Sequence, residues 1–151
     1  MARSAAAKKN AKPVRPSYIL DEQIGFILRT VSQRHAVIFA REIGTNLTPT
    51  QWAALSKLAE TGPCSQNQLG RLTAMDVATI KGVIDRLTAR GLTETSPDPE
   101  DGRRLLVSLT RAGQQLSEKI APNALAISKE TLAPLDARER EMLFALLNKL
   151  R

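Results

Sequence analysis

Few residues in this chain of 151 could carry out catalytic or metal chemistry. It contains one histidine, His35, and one cysteine, Cys64. A single histidine argues against a histidine-cluster metal site and against a Ser-His-Asp triad. A single cysteine excludes an intramolecular disulfide and a cysteine-rich zinc site. Since the sequence also lacks a glycine-rich phosphate loop, it predicts no metal, no cofactor and no enzyme activity.

The chemistry that the composition does favour is the binding of a polyanion. The chain has 22 basic and 15 acidic residues, a net charge of +7 and an isoelectric point near 10.1. However, five of the basic residues precede the first acid, Asp21. The charges of the remaining chain nearly balance. The net charge alone therefore does not decide whether the folded part binds nucleic acid, and the placement of the basic residues must decide it.

One candidate binding surface lies on a helix predicted over residues 76–90. At about 100° per residue, one side of this helix is an apolar stripe made of Val77, Ile80, Val83, Ile84 and Leu87. The opposite side carries small and charged residues, and Thr79 and Lys81 flank it; its members are Ala78, Gly82, Asp85, Arg86 and Ala89. A mid-helix glycine costs about 1 kcal/mol relative to alanine, so Gly82 indicates that another backbone or a DNA strand comes close. An ordinary solvent-exposed helix face is the alternative.

The chain divides into a tail and one predicted domain. Residues 1–17 hold almost no large apolar side chains, which predicts a flexible basic tail. This tail either contacts phosphates nonspecifically or only aids solubility, and an organelle transit peptide is a third interpretation. The domain spans residues 18–151. No apolar run is long enough to cross a membrane and no secretory signal is present, so a cytoplasmic location is expected.

Helix caps and apolar spacing define the elements of this domain. Predicted N-caps stand at Thr48, Ser65, Asp76, Thr110 and Asp136. Residues 92–96 and 104–109 read as strands of a β-hairpin around a turn-rich segment. We expect Pro122 to kink or restart the helix that follows Thr110. The order is α-α-α-α-β-β-α-α, a mainly α fold with a small β-hairpin wing, which is the pattern of a winged helix-turn-helix.

Three segments of the sequence strongly resemble the MarR family of bacterial transcription regulators. They are LTPTQWAALSKLAETGPCSQNQLGRL (47–72), DVATIKGVIDRLTARGLTE (76–94) and DPEDGRRLLVSLTRAG (98–113). The resemblance implies a homodimer formed by N- and C-terminal helices over about 18–46 and 111–151. It also implies a winged helix-turn-helix over about 47–110, a palindromic operator in double-stranded DNA and, in most members, repression that a small ligand relieves.

The resemblance also implies which residues contact DNA. Ser65, Gln66 and Asn67 open a helix whose N-terminus suits a phosphate, although Ser65 could serve only as its cap. The turn after this helix carries two more implied contacts, Thr73 and Met75. In the wing, Arg103 is implied to enter the minor groove while Asp101 holds it. Gly102 replaces a residue that is often basic in the family, so Arg104 is an alternative to Arg103; a solvated turn is the other interpretation.

A ligand site is implied between the dimerisation helices and the helix-turn-helix. Its candidate lining is Phe26, Arg29, His35, Phe39 and Trp52. Arg29 could pair with a carboxylate, and Trp52 could offer an aromatic wall. Each of Arg29, His35 and Trp52 also has an ordinary interpretation as an interface, surface or core residue.

The ligand class is implied by a narrower similarity. The segment AETGPCSQNQLGRLTAMDVATIKGVIDRL is similar to a branch that controls aromatic-acid catabolism. The expected effector is therefore an aromatic carboxylate or its CoA thioester, such as p-coumaroyl-CoA, with Arg15, Arg34 and Arg41 available for CoA phosphates. Two alternatives stay open: a redox role for Cys64, and a nucleoid-type architectural DNA binder without an effector.

Overall fold

The structure, a computed structural model, describes residues 17–151. A 3₁₀ turn at Leu20–Glu22 precedes six helices and one hairpin. In chain order these are α1 (Ile24–Glu42), α2 (Pro49–Thr61), α3 (Gln66–Leu72), α4 (Val77–Ala89), β1 (Thr93–Pro97), β2 (Leu105–Leu109), α5 (Arg111–Thr131) and α6 (Ala137–Asn148). This order confirms the predicted winged helix-turn-helix. The tail predicted over 1–17 lies, except for Ser17, outside the described residues.

The predicted N-caps begin the helices where the sequence placed them. The Thr48 hydroxyl accepts from the Gln51 N–H at 3.2 Å, and the Gln51 side chain accepts from the Thr48 N–H at 3.1 Å, which completes a capping box. Ser65 and Asp76 accept from the backbone N–H three residues later in α3 and α4. Because each cap satisfies N–H groups that a helix leaves unpaired, local sequence fixes these boundaries.

The antiparallel hairpin β1–β2 forms the wing and is attached to the segment before α3. Thr93 pairs with Leu109 at one end and Pro97 with Leu105 at the other. Cys64 adds a short third pairing, because its N–H donates to the Val107 carbonyl at 3.1 Å and its carbonyl accepts from the Val107 N–H at 2.8 Å. These bonds hold the middle of β2 beside the first residues of α3.

Two apolar cores hold residues 17–151 together. One fills the winged helix-turn-helix and includes Leu55, Leu69 and Leu87, each fully buried. The other joins α1 to α5 through residues such as Ile43 and Ile127. Two partly buried side chains, Trp52 and Leu116, pack against both cores, so the two halves are packed together at these points.

Two expectations about helices change in the structure. Pro122 lies inside α5, which runs from Arg111 to Thr131 without restarting, so a restart is wrong and a kink stays a prediction. Proline removes one helical hydrogen bond, but this position is exposed, where water can satisfy the freed carbonyl. Val77 was expected on the apolar stripe of its helix, yet it is 68% exposed while the other four stripe residues are buried. Its position in the first turn of α4 carries it past the end of the core.

None of the helices within residues 17–151 is long and apolar enough to cross a membrane. In the same part of the chain, no group of three or more histidine, cysteine, aspartate or glutamate side chains is placed to hold a metal ion.

Candidate nucleic-acid interface and ligand cavity

The outer face of α4 presents the side chains predicted for it. Ala78, Thr79, Lys81 and Arg86 are exposed and Gly82 is half-buried. Lys81 forms an ion pair with Asp85 one turn later, with 2.7 Å between Nζ and Oδ2, so its ammonium is held along the helix. A Cβ added at Gly82 would meet only the Arg86 guanidinium, at 3.5 Å. The described part of the protein therefore has space for a larger side chain at position 82, and packing against a neighbouring helix is not the reason for a glycine there.

The N-terminus of α4 is fixed by an ionised cap. The Asp76 carboxylate accepts from the Thr79 N–H at 2.7 Å. This backbone hydrogen bond, the largest influence, lowers the pKa of Asp76 below its ordinary value. The carboxylate is thus ionised near neutral pH, and it holds the first turn of α4 in place.

A cleft of about 440 Å³ lies where the start of α3 meets the first residues of β2, at the turn end of the wing. Its lining combines the predicted Ser65, Gln66, Asn67 and Arg104 with two further residues, Arg71 and Leu105. Two guanidinium groups beside the N-terminus of a helix are a suitable setting for phosphate oxygens. Arg71 was missed by the sequence reasoning, although its spacing of four residues from Asn67 puts both on one face of α3.

The predicted turn contacts, Thr73 and Met75, have structural roles between α3 and α4. The Thr73 hydroxyl donates to the Leu69 carbonyl at 2.6 Å. The Met75 N–H donates to the Gly70 carbonyl at 2.9 Å, and its side chain packs against the core. Gly70 permits this approach, because a Cβ there would lie 3.1 Å from the Met75 carbonyl oxygen. Both residues therefore set the angle between the two helices.

The contacts of Arg103 and Arg104 in the wing differ from the expected ones. Asp101 contacts Arg103 through the backbone, since its carboxylate accepts from the Arg103 N–H at 3.1 Å. The expected hold on the Arg103 guanidinium is not among the hydrogen bonds or ion pairs within residues 17–151. A carboxylate two residues away is satisfied more easily by the nearby amide in a tight turn. Arg103 is exposed near the tip, whereas Arg104 lines the cleft beside α3.

A second cavity, of about 150 Å³, lies where α1, α2 and α5 meet. It brings together three of the five predicted ligand residues, His35, Phe39 and Trp52, and adds Pro49, Ala124, Ile127 and Ser128. Phe26 and Arg29 do not line it. Arg29 lies six residues before His35 on α1, a rise of about 9 Å, and is exposed. Their contact with a ligand stays a prediction.

Hydrogen bonds orient the His35 ring in this cavity. The His35 Nδ1 lies 2.8 Å from the Thr131 hydroxyl, and that hydroxyl donates its one hydrogen to the Ile127 carbonyl at 2.9 Å. With its hydrogen directed at the Ile127 carbonyl, the hydroxyl accepts from His35, which is the arrangement of the tautomer protonated on Nδ1. In a neutral ring the Nε2 is then a hydrogen-bond acceptor.

The arginines expected to meet CoA phosphates already have partners. Arg34 donates to the Thr131 carbonyl at 2.8 Å, at the C-terminus of α5. Arg41 pairs with Glu130 and Glu42, and the hydrogen bond to Glu130 is the largest cause that raises the pKa of Arg41 above its ordinary value. Both side chains join α1 to α5. Arg15 lies outside the described residues.

Cys64 does not have the surroundings of a reactive thiol. Its side chain is buried in the core of the winged helix-turn-helix, and burial raises the pKa of the thiol above its ordinary value. A raised pKa keeps the sulfur protonated and weakly nucleophilic. Its backbone pairing with Val107 gives the residue a structural role instead.

Comparison with known proteins assigns the fold to a family. Residues 47–105 match the MarR family. Over 134 residues the chain is 41% identical to the HTH-type transcriptional repressor NicR of Pseudomonas putida, covering 88% of this chain and 85% of NicR. The chain belongs to the MarR family. As a member, it is a DNA-binding transcription regulator and not an enzyme, and regulators of this family act as dimers.

Two solved structures of MarR-type regulators resemble this one closely. A probable transcriptional regulator from Pseudomonas aeruginosa is 60% identical, with a TM-score of 0.86 over 88% of this chain and 100% of that one. BpsR of Bordetella bronchiseptica is 41% identical, with a TM-score of 0.84 over 88% of this chain and 96% of that one. The BpsR structure concerns the regulation of its DNA binding by 6-hydroxynicotinic acid.

Proposed function

We propose that this MarR-family protein is a cytosolic repressor that binds a palindromic operator as a homodimer and leaves it when an aromatic carboxylic acid binds. The observation that carries this proposal is the position of the 150 Å³ cavity. Its lining comes from α1 and α5 on one side and from α2, the first helix of the DNA-binding module, on the other. A ring held there contacts both halves of the subunit. The regulation of BpsR by 6-hydroxynicotinic acid and the similarity to NicR support it.

The operator would be read by three surfaces of each subunit. The outer face of α4 enters the major groove, with its N-terminal residues at the base edges. The cleft of Ser65, Arg71 and Arg104 holds backbone phosphates. With Arg104 in that cleft, Arg103 near the wing tip is the residue for the minor groove. Two such modules related by a two-fold axis require half-sites about 10 bp apart.

Exposed apolar residues on α1 and α6 support the homodimer. Within α1 the large exposed side chains are Ile24, Ile27, Leu28, Val31 and Val37. Helix α6 has no buried residue, and Met142, Phe144, Leu146 and Leu147 are at least 40% exposed. Apolar faces of this extent require a partner surface. A second copy of the chain supplies matching faces and places two DNA-binding modules together.

The cavity favours a small aromatic acid over a CoA thioester. A cavity of about 150 Å³ accommodates a single benzene ring, whereas a CoA group is several times larger. Phe39 and Trp52 supply apolar and aromatic walls. We assign the His35 Nε2 as acceptor for a ring hydroxyl or ring N–H, and the Ser128 hydroxyl as donor to the carboxylate. A ring with these groups at opposite ends, as in 6-hydroxynicotinate, satisfies both.

The test is operator binding with and without candidate effectors. Fluorescence anisotropy would compare the protein's own upstream region with random DNA at physiological salt, in the presence of 6-hydroxynicotinate, p-coumarate, benzoyl-CoA or p-coumaroyl-CoA. We expect specific binding that a free hydroxylated acid reverses at micromolar concentration. Release by a CoA thioester alone would overturn the ligand assignment. Equal affinity for random DNA, unaffected by every compound, would favour an architectural binder.

The predicted role of Arg29 can be tested in the same assay. If Arg29 from either subunit pairs with the carboxylate, Arg29→Ala abolishes release by the ligand and leaves operator affinity unchanged. Release of Arg29→Ala at the wild-type ligand concentration would leave carboxylate recognition to the residues that line the cavity.

A further inference from the structure

Arg90, which follows the last residue of α4, connects the DNA-reading helix to the start of α2. Its guanidinium donates to the Asn46 side-chain oxygen at 2.7 Å and to the Gln51 side-chain oxygen at 3.5 Å. Asn46 lies in the loop between α1 and α2, and Gln51 lies in the first turn of α2. One side chain thus spans elements that are about 40 residues apart in the sequence.

The far end of this connection is the turn that lines the ligand cavity. Gln51 is 7% exposed and its oxygen also accepts from the Thr48 N–H in the capping box of α2. Its neighbours Pro49 and Trp52 line the cavity between α1, α2 and α5. A ligand that presses on Pro49 or Trp52 therefore acts on the same helical turn that holds Arg90.

Apart from a 2.9 Å hydroxyl hydrogen bond between Thr88 and Thr93 of β1, the contacts that α4 makes with the core are of a different kind. Its inner face packs into the core through apolar side chains, among them Ile80, Ile84 and Leu87. Such packing resists separation but is not directional. The 2.7 Å hydrogen bond from Arg90 to Asn46 is charge-assisted and fixes orientation as well as distance, whereas the 3.5 Å contact with Gln51 is weaker. Arg90 is thus suited to transmit a change in the direction of α2 to the C-terminal end of α4.

We propose that Arg90, with Asn46 and Gln51, is the positioning contact that couples the ligand cavity to the recognition helix α4. The proposal rests on the proposed function, because coupling requires a ligand. In the free protein the contact holds α4 at the angle that fits the operator. A bound aromatic acid displaces the first turn of α2, and Arg90 carries that displacement to α4. Without the contact, ligand and DNA still bind, but neither influences the other.

The test measures the coupling directly. The variants are Asn46→Ala, which leaves α4 untouched, Arg90→Ala, and Arg90→Lys, which keeps the charge and loses the two-pronged geometry. Lys57→Ala is the matched control, because its ion pair with Glu60 lies entirely within α2. For each protein, operator Kd is measured by anisotropy with and without saturating 6-hydroxynicotinate. Binding of the acid is followed separately through the fluorescence of Trp52, the one tryptophan of the chain.

We expect the acid to weaken operator binding at least about tenfold for the wild type and for Lys57→Ala, within the usual range of allosteric coupling. For Asn46→Ala and Arg90→Ala the factor should fall below about threefold, with Arg90→Lys between, while the Kd for the acid changes little. A merely structural role would lower the melting temperature and leave this ratio unchanged. The coupling proposal is overturned if the acid weakens operator binding by Asn46→Ala as much as it weakens binding by the wild type. A wild type that shows no fluorescence response and no release overturns the proposed function, and the coupling with it.

Discussion

The Nδ1 of His35 on α1 lies 2.8 Å from the hydroxyl of Thr131, the last residue of α5. The same hydroxyl donates to the Ile127 carbonyl one turn earlier. This pair of hydrogen bonds orients the imidazole and favours the tautomer that is protonated on Nδ1. The specificity that we propose for the cavity therefore depends on a residue that does not line it.

Thr131→Val should weaken ligand binding without affecting DNA. The substitution keeps the shape of the side chain but removes the oxygen that accepts from His35. One hydrogen bond contributes about 1 kcal/mol net, so the Kd for 6-hydroxynicotinate, read from Trp52 fluorescence, should rise about fivefold. Thr61→Val is the control, because the Thr61 hydroxyl makes the same kind of bond to a carbonyl four residues earlier but faces no histidine. Equal effects of the two substitutions would contradict the role given to Thr131.

Replacing a single arginine of the wing should greatly weaken operator binding. Arg103 is exposed near the wing tip, and its backbone is held by the Asp101 carboxylate. Arg103→Ala should weaken operator binding more than about tenfold, because it removes a guanidinium from a narrow minor groove. Lys149→Ala, at the residue that follows α6, removes the same charge outside the DNA-binding module and should change affinity little. Unchanged operator affinity in Arg103→Ala would mean that the wing is only a turn.

Features of this protein that depend on neighbouring residues could be predicted from the sequence. The caps at Thr48, Ser65 and Asp76 each need one side chain and an N–H three residues later. Four of the five stripe residues of α4 are buried as predicted, since helical spacing alone brings them to one face.

Contacts between segments that are distant in the sequence could not be predicted from it. The pairing of Cys64 with Val107 and the contact of Arg90 with Asn46 join residues more than 40 positions apart, and no local pattern records either. Arg71 gains its significance from Arg104, which the wing brings beside it. In each case the residues meet only because of the tertiary arrangement, and the periodicity of the sequence carries no information about that arrangement.

Gly82→Ala should raise the stability of the protein and weaken its binding to the operator. A Cβ at this position meets only the Arg86 guanidinium, at an ordinary contact distance of 3.5 Å. Alanine should therefore stabilise α4 by up to about 1 kcal/mol and raise the melting temperature. If a DNA strand lies against Gly82, the same methyl group should weaken operator binding several-fold. A higher melting temperature with unchanged operator affinity would show that DNA does not approach this residue.

Val77 is predicted to contact a thymine methyl group. It is 68% exposed at the first position of α4, the end of a recognition helix that meets base edges. It also lines a cleft with Arg71 and Met75. In the major groove, the 5-methyl group of thymine is the apolar feature that such a side chain can bury.

The measurement replaces each operator thymine in turn with deoxyuridine, which removes only that methyl group. We expect one symmetric pair of thymines whose replacement weakens wild-type binding about threefold to fourfold per half-site, as for one buried methyl group. Val77→Ala should bind the thymine and deoxyuridine operators equally. Val37→Ala, which trims a valine on α1 that is 66% exposed, should retain the full wild-type preference. A Val77→Ala protein that still distinguishes the two bases would assign the methyl contact to another residue of α4.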